Sequence, residues 1–106
     1  MATLYIEEFQ GVGQPQQHRD FIGAALASRF LPSTTQPVIS ITGSSTPSNV
    51  FQNSTILIRV HTDAICSIKI GTYPPTATSS SMRLAANQTE YFAVHGGDGL
   101  AVIANV

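Results

Sequence analysis

His61 and Asp63 stand two residues apart at the end of a strand-like run, and His95 and Asp98 bracket a second predicted turn, in HGGDG. Residues i and i+2 of a strand share a face, so the first pair presents an imidazole and a carboxylate side by side. If the two turns shared an end of the fold, two imidazoles and two carboxylates would converge. Such a set could hold a transition metal, as in a small metal hydrolase, or make a base with its orienting partner. Against this, His and Asp beside turns commonly serve local hydrogen bonding, and no HExxH or CxxC motif accompanies them. A calcium site over residues 96–99 fares worse, because calcium takes six to eight oxygen ligands and this loop carries a single carboxylate. Neither a metal nor any other cofactor is expected.

The other reactive side chains point the same way. Ser and Thr are abundant, but a hydroxyl nucleophile needs an adjacent base held by a third group, and the sequence has no GxSxG elbow. We expect no enzyme. Cys66 is the only cysteine, which permits no internal disulfide, and its place in an apolar alternation makes it a small buried hydrophobe. Asn53-Ser54-Thr55 and Asn87-Gln88-Thr89 match the glycosylation acceptor pattern. The N-terminal MATLYIEEFQ has neither the basic nor the long apolar region of a signal peptide, so these read as polar turns. Tyr73, Tyr91 and Phe92 could form a sugar-stacking platform. However, Tyr91 and Phe92 are strand neighbours and point oppositely, which leaves few aromatics for one.

These residues need a scaffold, and 106 residues suffice for one domain (1–106) with one modest core. Charged residues make up 10% of the chain and the net charge is -1. The five Lys and Arg are scattered singly, which disfavours nucleic-acid binding, and no apolar run approaches the length of a spanning helix. Residues 54–71, STILIRVHTDAICSIKIG, form the organising stretch. Their two β-branched runs meet at Thr62-Asp63 and predict an antiparallel hairpin with strands over 55–61 and 64–70. Ile56, Ile58 and Val60 share one face, as do Cys66, Ile68 and Ile70, with Arg59, His61, Ser67 and Lys69 opposite.

Along the chain, residues 3–9 alternate as a first strand with Leu4 and Ile6 facing one way and Tyr5 the other. Residues 38–42 are a second candidate strand, followed by a Ser/Pro/Gly loop over 43–49. The Pro pair in TYPPTATSSSM requires a loop or sheet margin. Residues 88–94 and 100–105 flank GGDG as a closing hairpin that brings some of Leu100, Val102 and Ile103 into the core. Six or seven short strands at turn-bounded spacing give an all-β fold, a single-domain β-sandwich or jelly-roll-like barrel with an N-terminal arm. Residues 10–36 supply that arm. Its first half is Gly, Pro and Gln, whereas FIGAALASRFL reads either as a short helix with Ile22, Leu26 and Phe30 at i, i+4 spacing or as an extended segment seeking an apolar surface.

From residue 49 onward, NVFQNSTILIRVHTDAICSIKIGTYPPTATSSSMRLAANQTEYFAVHGGDGLAVIA resembles a family of small bacteriophage and prophage proteins encoded among virion genes. The segments that carry the likeness are RVHTDA, the CSIKIG strand, the PTAT loop, MRLAAN and EYF, with MATLYIEEFQGVG similar to that family's opening strand. Residues 14–36 depart from it. The resemblance implies a virion structural role made in a bacterial cytoplasm and located on the capsid surface. Capsid cement or decoration comes first, with carbohydrate binding or head- or tail-fibre attachment as the alternative. The implied partners are the major capsid protein and other copies of this chain, and Phe21, Ile22, Leu26 and Phe30 are the expected partner-binding residues.

Overall fold

A computed structural model describes residues 2–10 and 34–105, which fold into two antiparallel β-sheets packed face to face, a β-sandwich. The expected arm or helix over residues 11–33, with Phe21, Ile22, Leu26 and Phe30, lies outside the described residues. Residues 34–36 do not belong to an arm. They enter the sheet as β2 (Thr34–Thr35) and the buried Gln36.

The first sheet is built around β1 (Thr3–Phe9), as its alternation predicts. Along one edge it pairs β2 and β3 (Ile39–Ser40), and along the other it pairs β5 (Leu57–Thr62), which in turn pairs β8 (Gln88–Ala93). The second sheet runs β4 (Thr46–Pro47), β9 (Asp98–Ala104), β6 (Cys66–Thr72) and β7 (Met82–Leu84). The loop expected over 43–49 thus contributes an edge strand. So does β7, which the sequence did not reveal because three residues after a Ser run show no alternation.

Both expected hairpins are corrected. β5 and β6 do not pair with each other, and neither do β8 and β9. Each turn instead carries the chain across from one sheet to the other. The apolar faces explain why. Ile58 and Val60 on β5 must bury against Cys66 and Ile68 on β6, and two strands that face each other across a core cannot also share a ladder. Asp98 N–H bonded to the His95 carbonyl closes the second crossing as a turn, with Gly97 at φ +89° supplying the left-handed backbone. Gly96 is required there as well, because a Cβ would collide with the Asn53 backbone. At the first crossing the buried Thr62 hydroxyl donates to the Ala64 carbonyl at 2.6 Å and accepts from the Ala64 N–H at 3.2 Å.

Ile58, Val60, Cys66, Ile68, Leu100 and Val102 lie in the core as expected, together with Leu4, Ile6, Phe51 and Leu84. Ile70 packs against it half-buried, and Ile103 is half-buried. Ile56, expected in the core, is 47% exposed. Thr55 takes the inward place instead, because its hydroxyl donates to the buried Glu8 carboxyl at 2.7 Å. Ser67 stands on the outer face as expected but is buried there, accepting a 2.6 Å bond from Asn105 Nδ2.

Glu8 is the unusual core residue. Buried near the end of β1, its carboxyl accepts from Thr55 Oγ1 at 2.7 Å, from the Gln52 N–H at 3.0 Å and from Gln36 Nε2 at 2.8 Å. Gln36 extends the tie, exchanging two 3.0 Å bonds with the Asn49 backbone.

Two substitutions test this core. Ile58→Asp places an unpaired charge at a fully buried site, at a cost of several kcal/mol against a total stability of roughly 5–15, and abolishes cooperative melting in circular dichroism. A soluble, cooperatively melting variant would mean that the inward face is misassigned. Glu8→Ala strands three donors and costs about 3 kcal/mol or more by urea denaturation. Glu8→Gln keeps one acceptor oxygen and loses less.

Candidate functional site

The outer face of the first sheet carries a surface the sequence did not single out. Antiparallel pairing of β1, β5 and β8 sets their outward side chains in three cross-strand rungs. Tyr5, His61 and Thr89 form one rung, Glu7, Arg59 and Tyr91 the next, and Phe9, Leu57 and Ala93 the third. The third is apolar, with Phe9 and Leu57 buried and Tyr91 packed on them.

Tyr5, His61, Thr89, Glu7 and Arg59 from the first two rungs line an open groove of about 400 Å³, with Thr35, Gln36 and Val38 along one side and Asp63 at its end. His61 Nδ1 is hydrogen-bonded to Thr89 Oγ1 at 2.7 Å, and its Nε2 lies 3.6 Å from Asp63 Oδ1 on the other side of the ring. The Tyr5 ring meets it at a centroid distance of 6.0 Å and a tilt of 46°. Arg59 Nη1 donates to Glu7 Oε1 at 3.3 Å. Both groups are about one-third exposed, so this pair contributes little to stability and leaves polar valences facing the groove.

Of the residues singled out for chemistry, His61 and Asp63 do pair, as their spacing requires. His95 and Asp98 do not join them. Leu57 pairs with Ala93 and Thr62 with Gln88, so the crossing after β5 and the crossing after β8 lie at opposite ends of the sandwich. No group of three or more His, Cys, Asp or Glu suited to a metal occurs among the described residues. The three aromatics weighed as a sugar platform are likewise separated. Phe92 packs against the core, Tyr91 leans from the second rung onto Phe9 and Leu57, and Tyr73 lies over Gly99 on the other sheet. Tyr5, the aromatic that does reach the groove, was legible only as the outward residue of the first strand.

Cys66 is fully buried, with its Sγ 3.5 Å from Thr62 Oγ1. Burial pushes its thiol above the ordinary value of 9.0, and the Thr62 contact offsets this in part. A raised folded value stabilises the fold below the ordinary thiol pKa, and that contribution is lost as pH rises through the folded value. Iodoacetamide therefore alkylates the native protein at neutral pH about a hundredfold or more slower than the urea-unfolded chain, and melting temperature falls on the alkaline side of 9. Equal alkylation rates would place the thiol at the surface. No protein-family model, no curated protein and no solved structure matches the chain.

Proposed function

We propose that the protein is a non-enzymatic structural component of a bacteriophage virion, a capsid cement or decoration protein. It binds the major capsid protein on the head surface, together with other copies of itself, and stabilises the shell. The likeness of residues 49–104 to small virion-gene products motivates this reading. One structural observation carries it further: the end of the sandwich at the crossing after β8 gathers the features of a docking surface.

At that end β1 runs out at Phe9 and Gln10, and β2 begins beside Glu8, so both stems of the segment holding Phe21, Ile22, Leu26 and Phe30 stand there. Gln10 Nε2 is bonded to Gln52 Oε1 at 3.0 Å, and the Ile56 N–H to the Phe9 carbonyl at 3.0 Å. Val50 and Ile56, both about half exposed, flank this place. Large apolar side chains left in water suit attachment to a partner protein. Binding the assembled shell and not its free subunits stabilises the shell by mass action, and many weak copies add up. The role requires no active site.

Co-sedimentation with shells of the cognate capsid protein tests the proposal. Ile56→Asp and Val50→Asp replace exposed side chains, so melting is expected to stay within a few degrees of the parent while shell affinity falls about tenfold or more. Deleting residues 10–31 is expected to leave the β core folded and weaken sedimentation further. Full occupancy by all three variants would refute attachment through this end.

A further inference from the structure

The groove on the outer face of the first sheet has a chemistry that the cement reading does not use. Its floor offers a tyrosine ring 39% exposed and an imidazole tilted against it, and its lip offers Val38, 60% exposed. Around these apolar surfaces stand hydrogen-bonding groups of both kinds. Glu7 and Asp63 accept, Arg59 donates, and the hydroxyls of Thr35 and Thr89 do either. The volume of about 400 Å³ falls within the range of small-ligand sites.

We propose that this groove binds a neutral hexopyranose, free or as a unit of a polysaccharide. A pyranose ring has an apolar C–H face and a rim of hydroxyls, each both donor and acceptor. The Tyr5 ring takes the C–H face. The carboxylates of Glu7 and Asp63 accept from hydroxyls at the rim, and Arg59 donates to a ring or hydroxyl oxygen. Charge selects against the competing ligands. Two carboxylates and one guanidinium line the groove, so phosphates and acidic sugars meet a surface with no excess of positive charge. His61, bonded to Thr89, positions the floor and does not need to contact the ligand.

The groove and the capsid-facing end are separable. Tyr5, His61, Thr89 and Asp63 lie toward the crossing after β5, whereas Gln10, Val50 and Ile56 lie at the opposite end. Glu7, Arg59, Thr35 and Gln36 form the part of the groove nearer that end, so the Tyr5 and His61 side is the part set apart from it.

The test is an NMR titration of the full chain with glucose, galactose, N-acetylglucosamine and their β-linked oligomers, with inorganic phosphate and glucuronate as charged comparators. The expected result is a shift of the Tyr5, His61 and Thr89 resonances by at least one neutral sugar. Affinity that rises with oligomer length identifies a polysaccharide as the source, and equal affinity identifies the free sugar. Tyr5→Ala and Asp63→Asn, each at a partly exposed site, are expected to weaken binding about tenfold while melting and shell co-sedimentation stay unchanged. The proposal is overturned if no neutral sugar shifts these resonances, if phosphate or glucuronate binds more tightly, or if Tyr5→Ala binds like the parent. None of these results bears on attachment to the capsid.

Discussion

A single buried carboxyl group holds together segments that the ladders alone would leave loose. Glu8 sits on the inward face of β1, in register with Leu4 and Ile6, where an apolar residue would be the ordinary occupant. Its oxygens collect donors from Gln36, Gln52 and Thr55, and Gln36 passes the connection on to Asn49. The irregular stretch between β4 and β5 is thereby fixed against β1, which lays Phe51 into the core and turns Ile56 out of it. Because each donor is satisfied, the group is accommodated in the interior at little cost. With the carboxyl gone, the buried donors of Gln36 and Thr55 would lose their acceptor, and the end of the sandwich that carries both stems would lose its shape.

Much of the fold was readable wherever one residue's face decided its fate. The alternation in residues 3–9 gave β1 its bounds and its inward pair, Leu4 and Ile6, and the same rule placed Ile58, Val60, Cys66 and Ile68 in the core. Where a segment's partner decided the outcome, the sequence was silent or misleading. Thr62-Asp63 and GGDG look like hairpin turns because a sheet crossing uses the same turn-forming residues. What separates the two cases is whether the flanking apolar faces meet across a core, and local spacing does not carry that information. Ile56 was misplaced for a related reason: its alternation was sound, but Thr55 answers to a carboxyl 47 positions earlier.

The groove was half legible. His61-x-Asp63 was recognised as a pair on one face, while its association with Tyr5 and Thr89 depended on knowing that β1 and β8 flank β5. The expected meeting with His95 and Asp98 failed on direction alone. In an antiparallel pair, turns that follow corresponding strands emerge at opposite ends, so these residues could converge only if β5 and β8 ran parallel. One topological fact thus dissolves a metal-like constellation and assembles a polar groove in its place.

The paired crossings also govern the order in which the chain can fold. Among the described residues, apart from β6 with β7, no strand finds its ladder partner nearby in sequence: β1 waits for β5, β5 for β8, and β6 for β9. Each pairing must close a long loop before any hydrogen bond rewards it, which places the molecule among slow, high-contact-order folders. A ribosome must therefore release nearly the whole chain before the first sheet can be completed. Until β8 arrives, β5 remains an unsheltered apolar strand, and the nascent protein passes through a stage in which association with other chains competes with its own closure.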